Sequence, residues 1–210
     1  MEEKQPAKKG RSLETISVRR RAKLEAVLRK RQPDLTIVIE NIWDPHNVAA
    51  ILRTADAVGI ARIHLVYTIE DPPDLRRKGK QSSASANKWV DIVRHRTMRE
   101  CIDVLHGEGF RVYASRLGTS SLSLFDIDAT HPSAFVFGNE HRGVSDECLA
   151  LADTAYMIPM AGMIQSLNVS VAAAVTVYEA FRQRTRAGFY DAPRLDEATI
   201  RERLEVWARR

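Results

Sequence analysis

Apolar residues in this chain fall into two kinds of run. One kind is short and unbroken: Leu35-Thr36-Ile37-Val38-Ile39-Glu40, Ile63–Tyr67, Phe110–Ala114, Ala134–Phe137 and Tyr156–Ile158. Runs of this length, rich in β-branched and aromatic residues and bounded by turn residues, predict buried strands. The other kind is spaced three and four apart. Val48, Ile51, Leu52, Ala55 and Val58 fall on one face, as do Cys101, Ile102, Val104 and Leu105 within Met98–Gly107. That spacing predicts helices. Further helices are predicted over Ser145–Leu151, over Val169–Arg186, and from Pro193 and Asp196 through Trp207. At the N-terminus, Ser17–Arg31 carries Val18, Leu24, Val27 and Leu28 on a partly apolar face, and Pro33 ends it.

Strands alternating with helices predict an α/β fold with a mostly parallel sheet flanked by helices, plus helical extensions at both ends. The divisions expected are a basic extension over 1–33, the main domain over 34–187, and a C-terminal extension over 188–210. Asp44-Pro45-His46-Asn47 predicts a turn with Asn47 capping the next helix. Thr68–Lys88 is polar, with Arg76-Arg77-Lys78-Gly79-Lys80 followed by serines. It predicts a loop long enough to be functional or mobile.

With 210 residues, 44% of them hydrophobic, the chain can bury one sizeable core. No apolar run approaches the ~18 residues of a membrane span, and the N-terminus lacks the apolar stretch of a signal peptide. A cytoplasmic protein without membrane association is expected. Cys101 and Cys148 form no CxxC pair, as expected of reduced thiols. Charge is more telling. Met1–Gln32 holds eleven Lys/Arg against four Glu, while the rest of the chain is nearly balanced, with 21 against 23. The basicity is a separate N-terminal device. It points to a polyanion such as nucleic acid, with a solubilising tail as the plainer reading. Arg19, Arg20, Arg21, Lys23, Arg29, Lys30 and Arg31 are the candidate RNA-binding cations.

Several chemistries are missing from the pattern. There is no GxGxxG after the first strand, no P-loop, no Gly-x-Ser-x-Gly elbow and no HxxxH or HxxEH pair, so no metal is expected. Three constellations remain. Arg53 sits between Ala49 and Ala57, small neighbours that leave room for a phosphate, a substrate or another subunit; a surface pair with Asp56 is the alternative. Gly138-Asn139-Glu140-His141-Arg142-Gly143 follows a strand, where open α/β sheets place ligands. Glu140 there suits a base, an orienting group or a partner for arginine, or the segment is an ordinary turn. Ser166-Leu167-Asn168 precedes a helix whose free N–H groups favour an anion, unless Asn168 simply caps it.

The order and spacing of these pieces is more specific than any one of them. Asn47-x5-Arg53, then Phe137-Gly138-Asn139-Glu140-x2-Gly143, then Ile158-Pro159-Met160-x-Gly162-x3-Ser166-Leu167-Asn168-Val169-Ser170-Val171-Ala172-Ala173 resembles the three-motif pattern of the SPOUT RNA methyltransferases, in their TrmH branch. The likeness is close over about Asp34–Arg186. It implies a deep C-terminal trefoil knot, a homodimer, and transfer of a methyl group from S-adenosylmethionine to a ribose 2′-hydroxyl without a metal. By position it implies cofactor contacts at Ser115, Gly138, Ile158 and Leu167. Arg53 matches the catalytic arginine, supported by Asn47, Glu140, Ser166 and Asn168. Because a guanidinium hardly releases its proton, the arginine is read as an electrostatic clamp on alkoxide and phosphate, with phosphate or water taking the proton. The flanks, including Gly188-Phe189-Tyr190-Asp191-x-Pro193-Arg194-Leu195, resemble members that modify the D-loop guanosine at tRNA position 18. Ribosomal RNA is the alternative substrate, and a non-catalytic RNA-binding protein the remote one. About 33 residues precede the first strand, few for a separate folded RNA-binding domain.

Overall fold

A computed structural model describes residues 12–73 and 86–210. The basic run Arg76–Lys80, most of the serine-rich segment after it and the first eleven residues lie outside the described residues.

The described elements are α1 (Val18–Leu28), β1 (Leu35–Glu40), α2 (Pro45–Ala57), β2 (Arg62–Val66), β3 (Asp91–His95), α3 (Met98–Gly107), β4 (Arg111–Ser115), β5 (Leu122–Ser123), β6 (Ser133–Phe137), α4 (Asp146–Leu151), β7 (Thr154–Met157), α5 (Val169–Arg186) and α6 (Glu197–Ala208). The strands form one sheet in the order β3-β2-β1-β6-β4-β7-β5, and every pairing is parallel. The central strands β1 and β6 are buried along their whole length, as their unbroken apolar runs require. Two strands escape the pattern of apolar runs. β3 is half-exposed and carries Asp91, Arg94 and His95, and β5 has only two residues.

Two apolar layers cover the sheet. On one face α2 and α5 pack over Ile37, Ile39, Phe135 and Tyr156. On the other, α3 and α4 pack over Val38, Val66, Val112 and Val136. Under α3, His64 and His95 meet in a buried pair, Nδ1 to Nε2 at 2.8 Å, and Cys101 joins them within 4.8 Å. Burial pushes the His64 ring down to about 3, which keeps it neutral in ordinary buffers. Spacing along the chain could not reveal this cluster, because its members come from three elements.

The two extensions form one body. Leu24 and Leu28 of α1 pack against Ile200, Leu204 and Trp207 of α6. Ser17 caps α1, and Asp196 caps α6. Arg29 bridges Glu25 and Glu197, and Lys30 donates to the Tyr190 carbonyl. Arg31 departs from the expected RNA-binding role. It is 1% exposed, pairs with Asp56, donates to the Ile60 carbonyl at 2.8 Å and lies over the Trp207 ring. Its charge is spent inside the fold, fastening the extensions to the end of α2. Arg19, Arg21 and Lys23 stay exposed on α1, and Arg20 is half-buried.

Candidate active site

The site grows from the carboxyl ends of β1, β4, β6 and β7. At the end of β1, Asn41 takes a left-handed conformation, φ 49°, alone among described non-glycine residues. Asparagine tolerates that region because its short side chain bonds nearby backbone. Here Oδ1 accepts from the N–H groups of Thr68, Ile69 and Glu70 at 2.9, 3.0 and 3.3 Å. The Asn41 carbonyl in turn accepts from Asn139 Nδ2 at 2.8 Å. One buried asparagine therefore joins the turn after β1 to the loops after β2 and β6. An asparagine just past a β-branched strand was the available signal for this role.

Helix α2 begins earlier than the apolar spacing suggests. Asp44 is the cap, accepting from His46 N, and Pro45 occupies the first turn, where its fixed φ costs nothing. Asn47 is thus inside the helix and free for another task. Its Nδ2 donates to Glu140 Oε1 at 2.8 Å, and its Oδ1 accepts from Asn168 Nδ2 at 3.2 Å. Glu140 also accepts from the N–H groups of Trp43 and Asp44, at 3.0 and 3.2 Å. Asn168 does cap α5, its Oδ1 accepting from Ser170 N and Val171 N. Those two N–H groups are therefore already satisfied, which replaces the expectation that they receive an anion.

Burial acts to raise the Glu140 carboxyl, but Asn47 and the N–H groups of Trp43, Glu140 itself and Asp44 outweigh it, holding it below the ordinary value of 4.5. The carboxylate is ionised near neutrality, an acceptor that organises donors. Since its native pKa is depressed, its stabilising effect is complete above about pH 4.5 and is lost as pH falls through the lower native value. Urea melts of the wild type and Glu140→Gln between about pH 7 and pH 3 should show a stability difference that is largest near neutrality and shrinks in acid. A difference independent of pH would refute this account of the carboxylate.

Beside this network lies a cavity of about 610 Å³, lined by Ser115, Gly138, Glu140, Ser166, Leu167 and Asn168 among others. Pockets of ~300–1,000 Å³ suit a small ligand. Ser115, Ser166 and Leu167 also line an adjoining space of about 90 Å³ that contains Ile158. All four residues expected to touch the cofactor thus border these two spaces. Arg116, which sequence reasoning passed over, borders both. Gly138 is needed by crowding. A Cβ there would lie 2.1 Å from Gly143 backbone atoms, where the loop folds back on itself. Arg53 is exposed on α2, has no bond or ion pair among the described residues, and lines neither space. Its alternative partner, Asp56, is taken by Arg31.

A parallel α/β sheet with three sequence motifs meeting at its carboxyl edge defines a class that known proteins share. The model of the SpoU rRNA methylase family matches residues 34–178, and the chain belongs to that family. It is 48% identical over 191 residues to a tRNA (guanosine(18)-2′-O)-methyltransferase of Thermus thermophilus, spanning 91% of this chain and 96% of the relative. A protein of the same name from Escherichia coli is 44% identical over 171 residues, covering 81% of this chain and 73% of the relative. Among solved structures, the TrmH/SpoU tRNA modifying enzyme of A. aeolicus superposes with a TM-score of 0.83 at 37% identity, over 90% of this chain and 95% of the other. The SpoU methyltransferase AviRb of Streptomyces viridochromogenes, in complex with AdoMet, gives 0.62 at 27% identity, over 73% and 59%. Among the described residues no helix is long and apolar enough to cross a membrane.

Proposed function

We propose that this chain is an S-adenosylmethionine-dependent tRNA 2′-O-methyltransferase acting on the D-loop guanosine at position 18. The observation that carries the reading is the hydrogen-bonded chain Glu140–Asn47–Asn168, which ties the three motifs together at the edge of a ligand-sized cavity. The names of the relatives supply the nucleotide.

The cavity suits the methyl donor. Leu167 and Ile158 offer apolar surface for an adenine, and Gly138, packed against the Gly143 backbone, borders the same cavity. When bound, S-adenosylmethionine supplies a methyl group made electrophilic by its sulfonium. The protein's part is positioning and charge. Ser115, Gly138, Ile158 and Leu167 hold the donor, the Glu140–Asn47–Asn168 chain with Ser166 fixes the loops, and Arg53 stabilises the developing alkoxide and the neighbouring phosphate. The hydroxyl proton passes to phosphate or water.

A homodimer belongs to this reading. Met163, Ile164, Leu167, Val171 and Tyr178 leave an apolar strip exposed along the loop before α5 and the helix itself, and such strips mark contact surfaces. Arg53 lines neither cavity in a single chain, which supports a site completed between two copies. The trefoil threading goes with it, supported by β4 lying between the later strands β6 and β7. In the cytoplasm the joined α1–α6 body would hold tRNA through Arg19, Arg20, Arg21 and Lys23, while Arg29 ties α1 to α6 and Lys30 holds the Tyr190 carbonyl.

The deciding experiment incubates the protein with methyl-labelled S-adenosylmethionine and total tRNA, then maps the labelled nucleotide. Label on the ribose of guanosine 18 is expected; label in ribosomal RNA alone, or none, overturns the reading. In the same assay Arg19→Glu, Arg21→Glu and Lys23→Glu together should weaken tRNA binding at least about tenfold and flatten its salt dependence by about one unit of slope per lost phosphate contact. Donor affinity should not change. Equal loss of both would end the division of labour.

A further inference from the structure

The turn from Asn41 to Asp44 is held at every residue. Asn41 is bonded through its side chain and its carbonyl. Ile42 is buried, and its carbonyl accepts from the Tyr67 hydroxyl at 3.0 Å. The N–H groups of Trp43 and Asp44 end on the two oxygens of Glu140. From this fixed backbone one large side chain projects outward, the Trp43 indole, 68% exposed. The other two tryptophans do the opposite. Trp89 and Trp207 pack edge to face at 5.1 Å beneath the extensions.

An indole is a costly surface to leave in water, and a rigid mount lowers the entropy lost when something stacks on it. Its place narrows the partner. The Trp43 backbone N–H reaches the carboxylate that organises the candidate site, and Asn47 is one helical turn further on. A ribose brought to that network carries its base with it. Enzymes that work on nucleotides inside folded RNA commonly pull the target out of its stack, and an extruded base loses stacking that an aromatic side chain can restore.

We propose that Trp43 is a stacking platform for the base of the target nucleotide, so that part of the tRNA affinity, and the alignment of its ribose, comes from this one side chain. This rests on the tRNA-methyltransferase reading above. As a sequence-tolerant π surface it favours purines over pyrimidines by area, without reading the guanine edge.

The test is a double-mutant cycle on the full-length protein. Wild type, Trp43→Ala and Trp43→Phe are each assayed for tRNA affinity and methylation with intact tRNA, and for affinity with tRNA that lacks the base at position 18. Stacking contributions of the usual size predict that Trp43→Ala weakens binding of intact tRNA by about tenfold or more, while Trp43→Phe keeps most of it. With the abasic tRNA the three proteins should bind alike, and donor affinity and oligomeric state should be unchanged throughout. A loss of the same size on both RNAs, no loss at all, or a change in oligomeric state would overturn the platform. Methylation of position 18 by the wild type upholds the underlying reading whichever way Trp43 behaves; a wild type that methylates no tRNA removes both.

Discussion

Arg53→Ala should abolish measurable tRNA methylation, lowering the single-turnover rate by at least about a hundredfold, while S-adenosylmethionine still binds with near wild-type affinity. The size follows from what a preorganised cation or hydrogen-bond donor contributes when it meets charge that forms only in the transition state, on the order of 100- to 1,000-fold. The separation of the two effects follows from geometry. Arg53 lines neither cavity, so removing it takes nothing from the donor's surroundings. It has no ion pair among the described residues, so its loss leaves no buried carboxylate behind, and stability should hold within about 0.5 kcal/mol. Arg53→Lys should recover little, since an ammonium keeps the charge but loses the planar fork that grips phosphate. Isothermal titration with the donor, run beside single-turnover assays, checks both halves. Activity near wild type would exclude Arg53 from the chemistry.

Gly138→Ala should act by the opposite route, on the fold of the cradle rather than on charge. The added Cβ would sit 2.1 Å from the carbonyl carbon and oxygen of Gly143 and 2.2 Å from Val144 N. These are backbone atoms that no rotamer change can move. The return of the loop is pinned by the Gly143 N–H on the Asn139 carbonyl at 2.8 Å, and Gly143 itself has φ 71°. Either the loop opens or the end of β6 shifts. Overpacking of this kind costs about 3 kcal/mol or more, which for a chain of this size lowers the melting temperature by roughly 6–12 °C. Donor affinity should fall at least about tenfold, because the same loop lines the cavity. Gly107→Ala is the control. Its Cβ would meet nothing within 4 Å at the end of α3, and the melting temperature should stay or rise slightly. Equal melting temperatures for the two variants would refute the crowding argument.

Some elements were plain in the sequence. β1, α3 and α5 match their predicted limits, because each is a strong local signal: a β-branched run, a helical apolar face with Thr97 before it, and an alanine-rich stretch behind an asparagine cap. β3 escapes the apolar pattern because an edge strand needs little apolar surface: Arg94 is exposed, and Asp91 pairs with Arg203 of α6. The sequence puts the cap of α2 at Asn47, one turn too late. Asp44 and Pro45 do that work, and only the positions of Glu140 and Asn168 explain why an asparagine belongs inside the helix.

Arg31 makes the same point from the other side. In the sequence it is one cation among seven. In the fold, the packing of α1 on α6 turns it inward onto Asp56 and Trp207, and burial forces it to find those partners. By itself the sequence determined the alternation of strands and helices, the three motifs and the separation of the basic end from a nearly neutral body, since each depends on residues a few positions apart. The tertiary structure alone decided the strand order, the meeting of Asn47 with residues 93 and 121 positions away, the burial of Arg31 and the exposure of Trp43. Those depend on which faces of the sheet the helices cover, and local spacing carries no record of that.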